Sequence, residues 1–261
     1  MFKALLQKQL LELNQSFFQN KKTGKRRSAT SAVISIILFA VLIVAVIGGM
    51  FFILAQSMSP LITGGFGWLY ITILSLLSIV FGVFGSVFNT YASVYQAKDN
   101  DLLLSLPIPV PYILAVRLSG VYLMGLMYSA VVSVPSLIVY CMYAKPAAGS
   151  VIGYILLILL ISVLVLVLSC ALGWVVAKIS SKLKNKSLIT VIASLAFIAV
   201  YYVLYFRATE LLQVLIANVS VIGNDIRSSA YPLYMLGRCG EGDVLSLLIY
   251  AAVILSLFAL T

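Results

Sequence analysis

The side chains that could carry chemistry are few, and they are confined to short stretches. The chain has no histidine and only seven Asp and Glu in 261 residues. The most informative polar stretch is Tyr91–Arg117, YASVYQAKDNDLLLSLPIPVPYILAVR, which lies between two long apolar segments. It combines Lys98, Asp99, Asp101 and Arg117 with Pro107, Pro109 and Pro111. Unpaired charges are costly in hydrocarbon, and closely spaced prolines remove backbone donors and end helices, so this stretch is expected outside the bilayer core. Residues 96–106 can form a short helix, polar at its start and ending in Leu102, Leu103, Leu104 and Leu106. Its chemistry is recognition rather than bond-breaking. So many leucines beside charges suit either a docking surface for another protein or a segment resting in the lipid interface.

Catalysis inside a membrane needs ionisable groups or metal ligands facing the bundle interior. No Asp, Glu, Lys, Arg or His falls within 32–54, 66–88, 118–143, 151–177, 188–206 or 244–261, and no H-E-x-x-H pattern occurs. An intramembrane metalloprotease, a carboxylate-based lipid enzyme and a serine hydrolase lacking its base are all disfavoured. A proton-driven carrier is disfavoured for the same reason, whereas sodium coupling through backbone oxygens is not. The one Gly-Lys pair, Gly24–Lys25, lacks the upstream glycine of a P-loop and is followed by Arg26. Cys141 and Cys170 sit in apolar runs and Cys239 in a polar loop, a spacing that gives neither a disulfide framework nor a metal site. Neither a catalytic residue nor a cofactor is expected. If the chain moves a substrate, the energy should come from another subunit.

The elements that hold the polar stretch follow from composition. The chain is 63% hydrophobic and 9% charged, against about 45 to 50% apolar and about 25% charged in ordinary soluble domains. Apolar runs of about 20 residues can cross a bilayer, and they must do so as helices because an isolated strand leaves its backbone groups unpaired. The expected fold is therefore all-α, a polytopic membrane bundle of six transmembrane helices with an amphipathic N-terminal interfacial helix. The spans are expected at about 32–54, 66–88, 118–143, 151–177, 188–206 and 244–261, with residues 1–31 forming a cytoplasmic amphipathic helix and basic linker. Residues 32–261 then form one transmembrane domain, expected to be truncated at its C-terminus because no charge anchors the far end of the sixth span.

Within 1–20, Phe2, Leu5, Leu6, Leu10, Leu13 and Phe17 share one helical face, which fits either a membrane anchor or a helix packed on another chain. Lys21, Lys22, Lys25, Arg26 and Arg27 follow it, a cluster drawn to anionic headgroups. Thirteen of the 17 Lys and Arg fall in the N-terminal region, the 91–117 loop and the 178–187 loop, which places those three on the cytoplasmic side. The formal net charge of +10 thus reports loop topology and lipid contact rather than nucleic-acid binding. In the second span Ser78, Gly82 and Ser86 recur every fourth residue, a stripe for close helix packing, either inside the bundle or at a dimer interface. Pro135 should kink rather than break the third span. The segment 207–243 is too apolar for a solvated loop and reads as two short helical pieces dipping back into the membrane, or as one interfacial helix.

The run Lys98 to Leu118, KDNDLLLSLPIPVPYILAVRL, resembles the loop between the second and third spans in permease subunits of bacterial ABC-2 type exporters. The matching features are Asp99 and Asp101, Leu102 to Leu104, Leu106 with Pro107, Ile113 with Leu114, and Arg117 with Leu118. The resemblance implies a half-transporter in the bacterial cell membrane, N-terminus cytoplasmic, with Lys98 to Pro107 coupling to a separate cytoplasmic ATP-binding subunit. It implies as partners that subunit, a second permease half in the same chain or a homo- or heterodimer, and membrane lipid. An ATP-independent channel, a sodium-coupled carrier, and a scaffold or sensor without transport are the alternatives.

Overall fold

The computed structural model describes residues 44–95, 109–182 and 216–260, with isolated positions elsewhere. Among these residues every regular element is a helix, and there are no strands. A π-helical turn, Val44–Gly48, leads into α1 (Gly49–Ser57), followed by α2 (Ser59–Thr63) and α3 (Gly67–Thr90), which a second π-helical turn prolongs to Tyr95. Next come α4 (Val110–Ala144), α5 (Ala148–Lys182), α6 (Val219–Ser229), α7 (Tyr231–Gly240) and α8 (Val244–Leu260). Three helical stretches are long and apolar enough to cross a membrane: Gly67–Tyr95, Val110–Ala144 and Ala148–Lys178. α7 and α8, bent by 115° at the break between them, would make a fourth if counted as one broken span. This is a helical membrane protein. The N-terminal residues Phe2, Leu6, Leu10, Leu13 and Phe17 and most of the fifth expected span lie outside the described residues.

Helices α3, α4 and α5 pack against one another as the central block, with α1 and α2 against α4 and α7 against α3 and α5. The largest core cluster joins Leu69, Tyr70, Ile71 and Leu74 of α3, Val139 and Tyr140 of α4, and Leu157, Ile161 and Val165 of α5. Meanwhile Leu76, Val80 and Phe84 of α3, and Leu123, Met127 and Ile138 of α4, remain exposed. Apolar side chains both inside and outside the block are what a lipid solvent permits, because hydrocarbon does not drive Leu inward as water does. Aromatic residues mark both ends. Trp68 packs edge-on against Tyr234 with ring centroids 4.9 Å apart at the end where α3 begins. At the other end the Lys178 ammonium lies 4.9 Å from the centre of the Trp174 ring. Trp, Tyr and basic residues favour the two headgroup levels of a bilayer.

The helices outrun the expected spans at the 91–117 loop. Pro109 and Pro111 lie at the very start of α4, where a missing N–H breaks no helical hydrogen bond, so the helix begins at Val110 rather than Leu118. Arg117 is consequently a helical residue, 7% exposed, and not part of a solvated loop. At the other end of α4, Lys145 adopts a left-handed backbone (φ 44°), and Pro146 after it cannot prolong the helix. Pro135 lies inside α4 without ending it. Residues 216–243 hold two short helices, α6 and α7, and the chain then turns back into α8.

Candidate functional site

Three polar regions interrupt the apolar bundle: the two ends of the 91–117 segment, a seam of hydroxyls through the central block, and the turn between α7 and α8.

Lys98, Asp99, Asp101, Leu102, Leu103, Leu104, Leu106 and Pro107 lie outside the described residues, but the anchors on either side of them are placed. The π-helical turn Tyr91–Tyr95 is tied to α5 by the Tyr95 hydroxyl, which donates to the Cys170 carbonyl at 3.0 Å. From the returning side, the Arg117 guanidinium donates to the Ser93 carbonyl. Burying an arginine requires that its donors be satisfied, and this main-chain acceptor joins α4 to the end of α3. Both ends of the segment are thereby fixed to the central block. A Cβ on Gly173 would lie 3.2 Å from the Tyr95 ring, so α5 approaches this turn closely.

The stripe Ser78, Gly82 and Ser86 faces inward. The Ser78 hydroxyl donates to the Ser129 carbonyl at 2.9 Å and lies 2.7 Å from the Ser133 hydroxyl, both on α4. Ser86 meets the Ser169 hydroxyl of α5 at 2.5 Å. Between them a Cβ on Gly82 would lie 2.9 Å from Val165 Cγ2, and one on Gly125 would lie 3.1 Å from Val165 Cγ1. Val165, fully buried, is a knob held in a hole between two glycines of neighbouring helices. The seam continues through Ser129 to Ser162, 3.2 Å between hydroxyls, and through the Ser136 and Tyr154 hydroxyls, 2.6 Å apart, with Tyr70 donating to the Ser136 carbonyl at 3.0 Å. Such hydrogen bonds join helices where no water competes. The α4 partners are legible in the sequence too, since Gly125, Ser129 and Ser133 repeat every fourth residue just as the α3 stripe does.

The third region lies at the end of the 207–243 segment, for which two short helical pieces or one interfacial helix are expected and in which the structure has two short helices. Residues 237–243, GRCGEGD, press the end of α7 and the start of α8 against the first turns of α3 and α5. Arg238 lies 3.4 Å from Glu241 and 3.9 Å from Asp243, and the Ser246 hydroxyl donates to Asp243 at 2.7 Å in the first turn of α8. The Glu241 carboxylate reaches the beginning of α3, where a Cβ on Gly67 would lie 3.1 Å from its Oε1 and where the Trp68 main-chain N–H favours its charged form. α3 has no side-chain cap of its own, so a carboxylate from another helix stands at the positive end of its dipole. Burial nonetheless pushes the Glu241 carboxyl above the usual carboxylate range, with Arg238 and the Trp68 N–H pulling it partly back. The legible signal is three glycines in six residues beside Arg238, Glu241 and Asp243.

Among the described residues, no three His, Cys, Asp or Glu come together to hold a metal ion. The three regions tie helices together: two hold the ends of α3, and the hydroxyl seam joins α3 to its neighbours between them. No family model, curated protein or solved structure matches the chain.

Proposed function

We propose that the chain is the transmembrane permease subunit of an ATP-driven exporter of the ABC-2 type, working with a separate cytoplasmic ATP-binding subunit and a second permease half. It has six spans, lies in a bacterial cell membrane and keeps its N-terminus in the cytoplasm. Lys98 to Pro107 form the docking element, and ATP-driven closure of the partner subunits biases the bundle between two arrangements by binding one more tightly than the other. The observation that carries this reading is the fixing of the segment at both ends. Tyr95 is bonded to α5, and Arg117 of α4 is bonded to Ser93 just before the segment, so a load on 96–108 reaches all three central helices. A solvated linker needs no such anchors. The lack of charged side chains in the expected spans supports an outside source of energy.

The test is co-purification of the chain with the ATPase encoded beside it, comparing Leu103→Asp with the unmodified protein. A carboxylate in a desolvated docking surface should abolish assembly and the coupled ATPase rate. Unchanged assembly and rate would remove the docking role from this segment. Orientation is tested by Ser180→Cys, which should resist an impermeant thiol reagent added outside intact cells, and labelling there would reverse the topology.

A further inference from the structure

We propose that the corner between α6 and α7 is a binding site for the phosphate of an anionic phospholipid, built from Arg227, Tyr231 and Tyr234 on the platform of Trp68. Arg227 lies in the last turn of α6, and its guanidinium carbon stands 5.3 Å from the centre of the Tyr234 ring. Tyr234 packs edge-on against Trp68 of α3, with ring centroids 4.9 Å apart, and the Tyr231 ring lies 6.0 Å from that of Tyr234. The platform is fixed to the bundle. Trp68, Phe66 and Ile226 pack against the main core cluster, and a Cβ on Gly223 of α6 would lie 3.1 Å from Phe66 Cε1. The outer side of the corner is open, since Arg227 is exposed and Tyr231 is 56% exposed.

Charge, donors and depth all select an anion held at the membrane surface. The two carboxylates of the neighbouring turn, Glu241 and Asp243, lie 3.4 and 3.9 Å from Arg238, whereas no carboxylate pairs with Arg227 among the described residues. Asp225 does not offset it, because residues two apart on a helix lie about 200° round from each other and do not meet. A cation–π contact uses none of the five N–H donors of an arginine, and the Tyr231 and Tyr234 hydroxyls likewise meet no acceptor among the described residues. A phosphate supplies the missing acceptors, since the guanidinium fork matches its oxygens two at a time and a phenol can donate beside it. The depth is that of the headgroups. Trp68 is the second residue of the span Gly67–Tyr95, and Trp and Tyr favour the level where a span leaves hydrocarbon. Phosphatidylglycerol leaves its phosphate charge unopposed, whereas a choline neutralises it within the headgroup, so the anionic lipid is the better fit. The site requires neither an ATPase nor a transported substrate, so it stands or falls apart from the exporter reading.

The chain contains its own reporter. Trp174→Phe leaves Trp68, within the corner, as the sole tryptophan. The experiment places the full chain carrying that change in phosphatidylcholine vesicles containing brominated phosphatidylglycerol. Bromine quenches tryptophan at short range, so the loss of Trp68 fluorescence with lipid composition gives the affinity of the adjoining site for one lipid relative to the other. Phosphatidylglycerol should be favoured about fivefold, the worth of one basic side chain at an anionic surface. Arg227→Gln should bring the ratio to about one, whereas Arg227→Lys keeps the charge and should retain most of the preference, which separates a lost site from a lost fold. Lys145→Gln, an exposed cation at the end of α4, should leave the ratio unchanged. Millimolar inorganic phosphate, at constant ionic strength, should not displace the brominated lipid. Equal affinity for the two lipids beside the original Arg227 would overturn the proposal, as would a preference that survives Arg227→Gln. Displacement by inorganic phosphate would make the corner a site for a soluble anion and would overturn it equally.

Discussion

Replacing Gly82 by Ala tests whether the central block is held by interlocking shape rather than by apolar composition. The added methyl carbon would lie 2.9 and 3.1 Å from the two γ-carbons of Val165 and 3.3 Å from the Ser129 Cβ. Val165 cannot yield by turning, because it also fits against Gly125 on the opposite helix and is fully buried. Overpacking of this kind costs about 1 to 3 kcal/mol. Ala is the better helix former by about 1 kcal/mol, which offsets part of that. The net change is a loss of up to about 2 kcal/mol. Val165→Ala alone leaves a void and should cost about 2 kcal/mol. The two changes together should cost less than their sum by about 1 to 2 kcal/mol, because the smaller side chain makes room for the new methyl. Unfolding by SDS, followed through the fluorescence of Trp68 and Trp174, measures all three variants. Additivity to within about 0.5 kcal/mol would mean that Val165 and Gly82 do not meet as described.

Two further outcomes follow from the polar contacts. Ser169→Ala should destabilise by about 0.6 kcal/mol, typical of an interhelical hydrogen bond in a membrane, and adding Ser86→Ala should cost little more because its partner is already gone. Equal and additive losses in SDS unfolding would show that the two hydroxyls do not pair. Glu241 gives the turn a pH dependence whose sign follows from burial. The seated carboxyl holds its proton more tightly than a solvated one, so seating is strongest below the ordinary glutamate range and weakens as pH rises through the elevated value. Arg238 and Asp243 within the turn and Tyr140 from α4 are the titratable groups around it. Amide protection at 239–242 in hydrogen exchange, corrected for the intrinsic rate, should therefore be higher at about pH 5 than at about pH 7 in the unmodified chain and flat in Glu241→Gln. The opposite slope would assign the turn's pH dependence to another group.

Membrane class and helical content were legible because they depend on long apolar runs, a property that needs no knowledge of partners. Helix ends were less legible, and the reason is specific. Prolines between 107 and 111 were read as breakers, yet at the first turn of a helix the missing N–H breaks no bond, so α4 starts at Val110 and takes Arg117 with it. The small-residue stripe on α3 could be seen, and α4 has a matching one in Gly125, Ser129 and Ser133, but spacing says that a helix face is flat and not which helix covers it. Val165 shows this limit most clearly. Nothing in its sequence context distinguishes it from the other valines and leucines of α5, and only the two glycines on different helices give it a role. The contacts of the turn at 237–243 were hidden for a related reason, because a segment too apolar for a solvated loop does not show which helices it meets until α3 and α5 are placed beside it.

Where the fastenings fall also bears on which parts of this bundle can move. Between Ser78 and Ser86, α3 is joined to α4 and α5 by buried hydroxyls and by the Val165 knob, contacts that sliding would leave unpaired in a medium without water. At its two ends charged or aromatic side chains also reach a main-chain carbonyl or amide, from Tyr95 and Arg117 at one end and Glu241 at the other. Beside Glu241 the Arg238 side chain is 43% exposed, so water can replace a partner lost there, and parting that one contact costs less than parting a buried hydroxyl pair. A perturbation that leaves the fold intact should therefore move α3, α4 and α5 as a body. Removing a middle contact should lower stability, whereas removing an end contact should change accessibility at that end first.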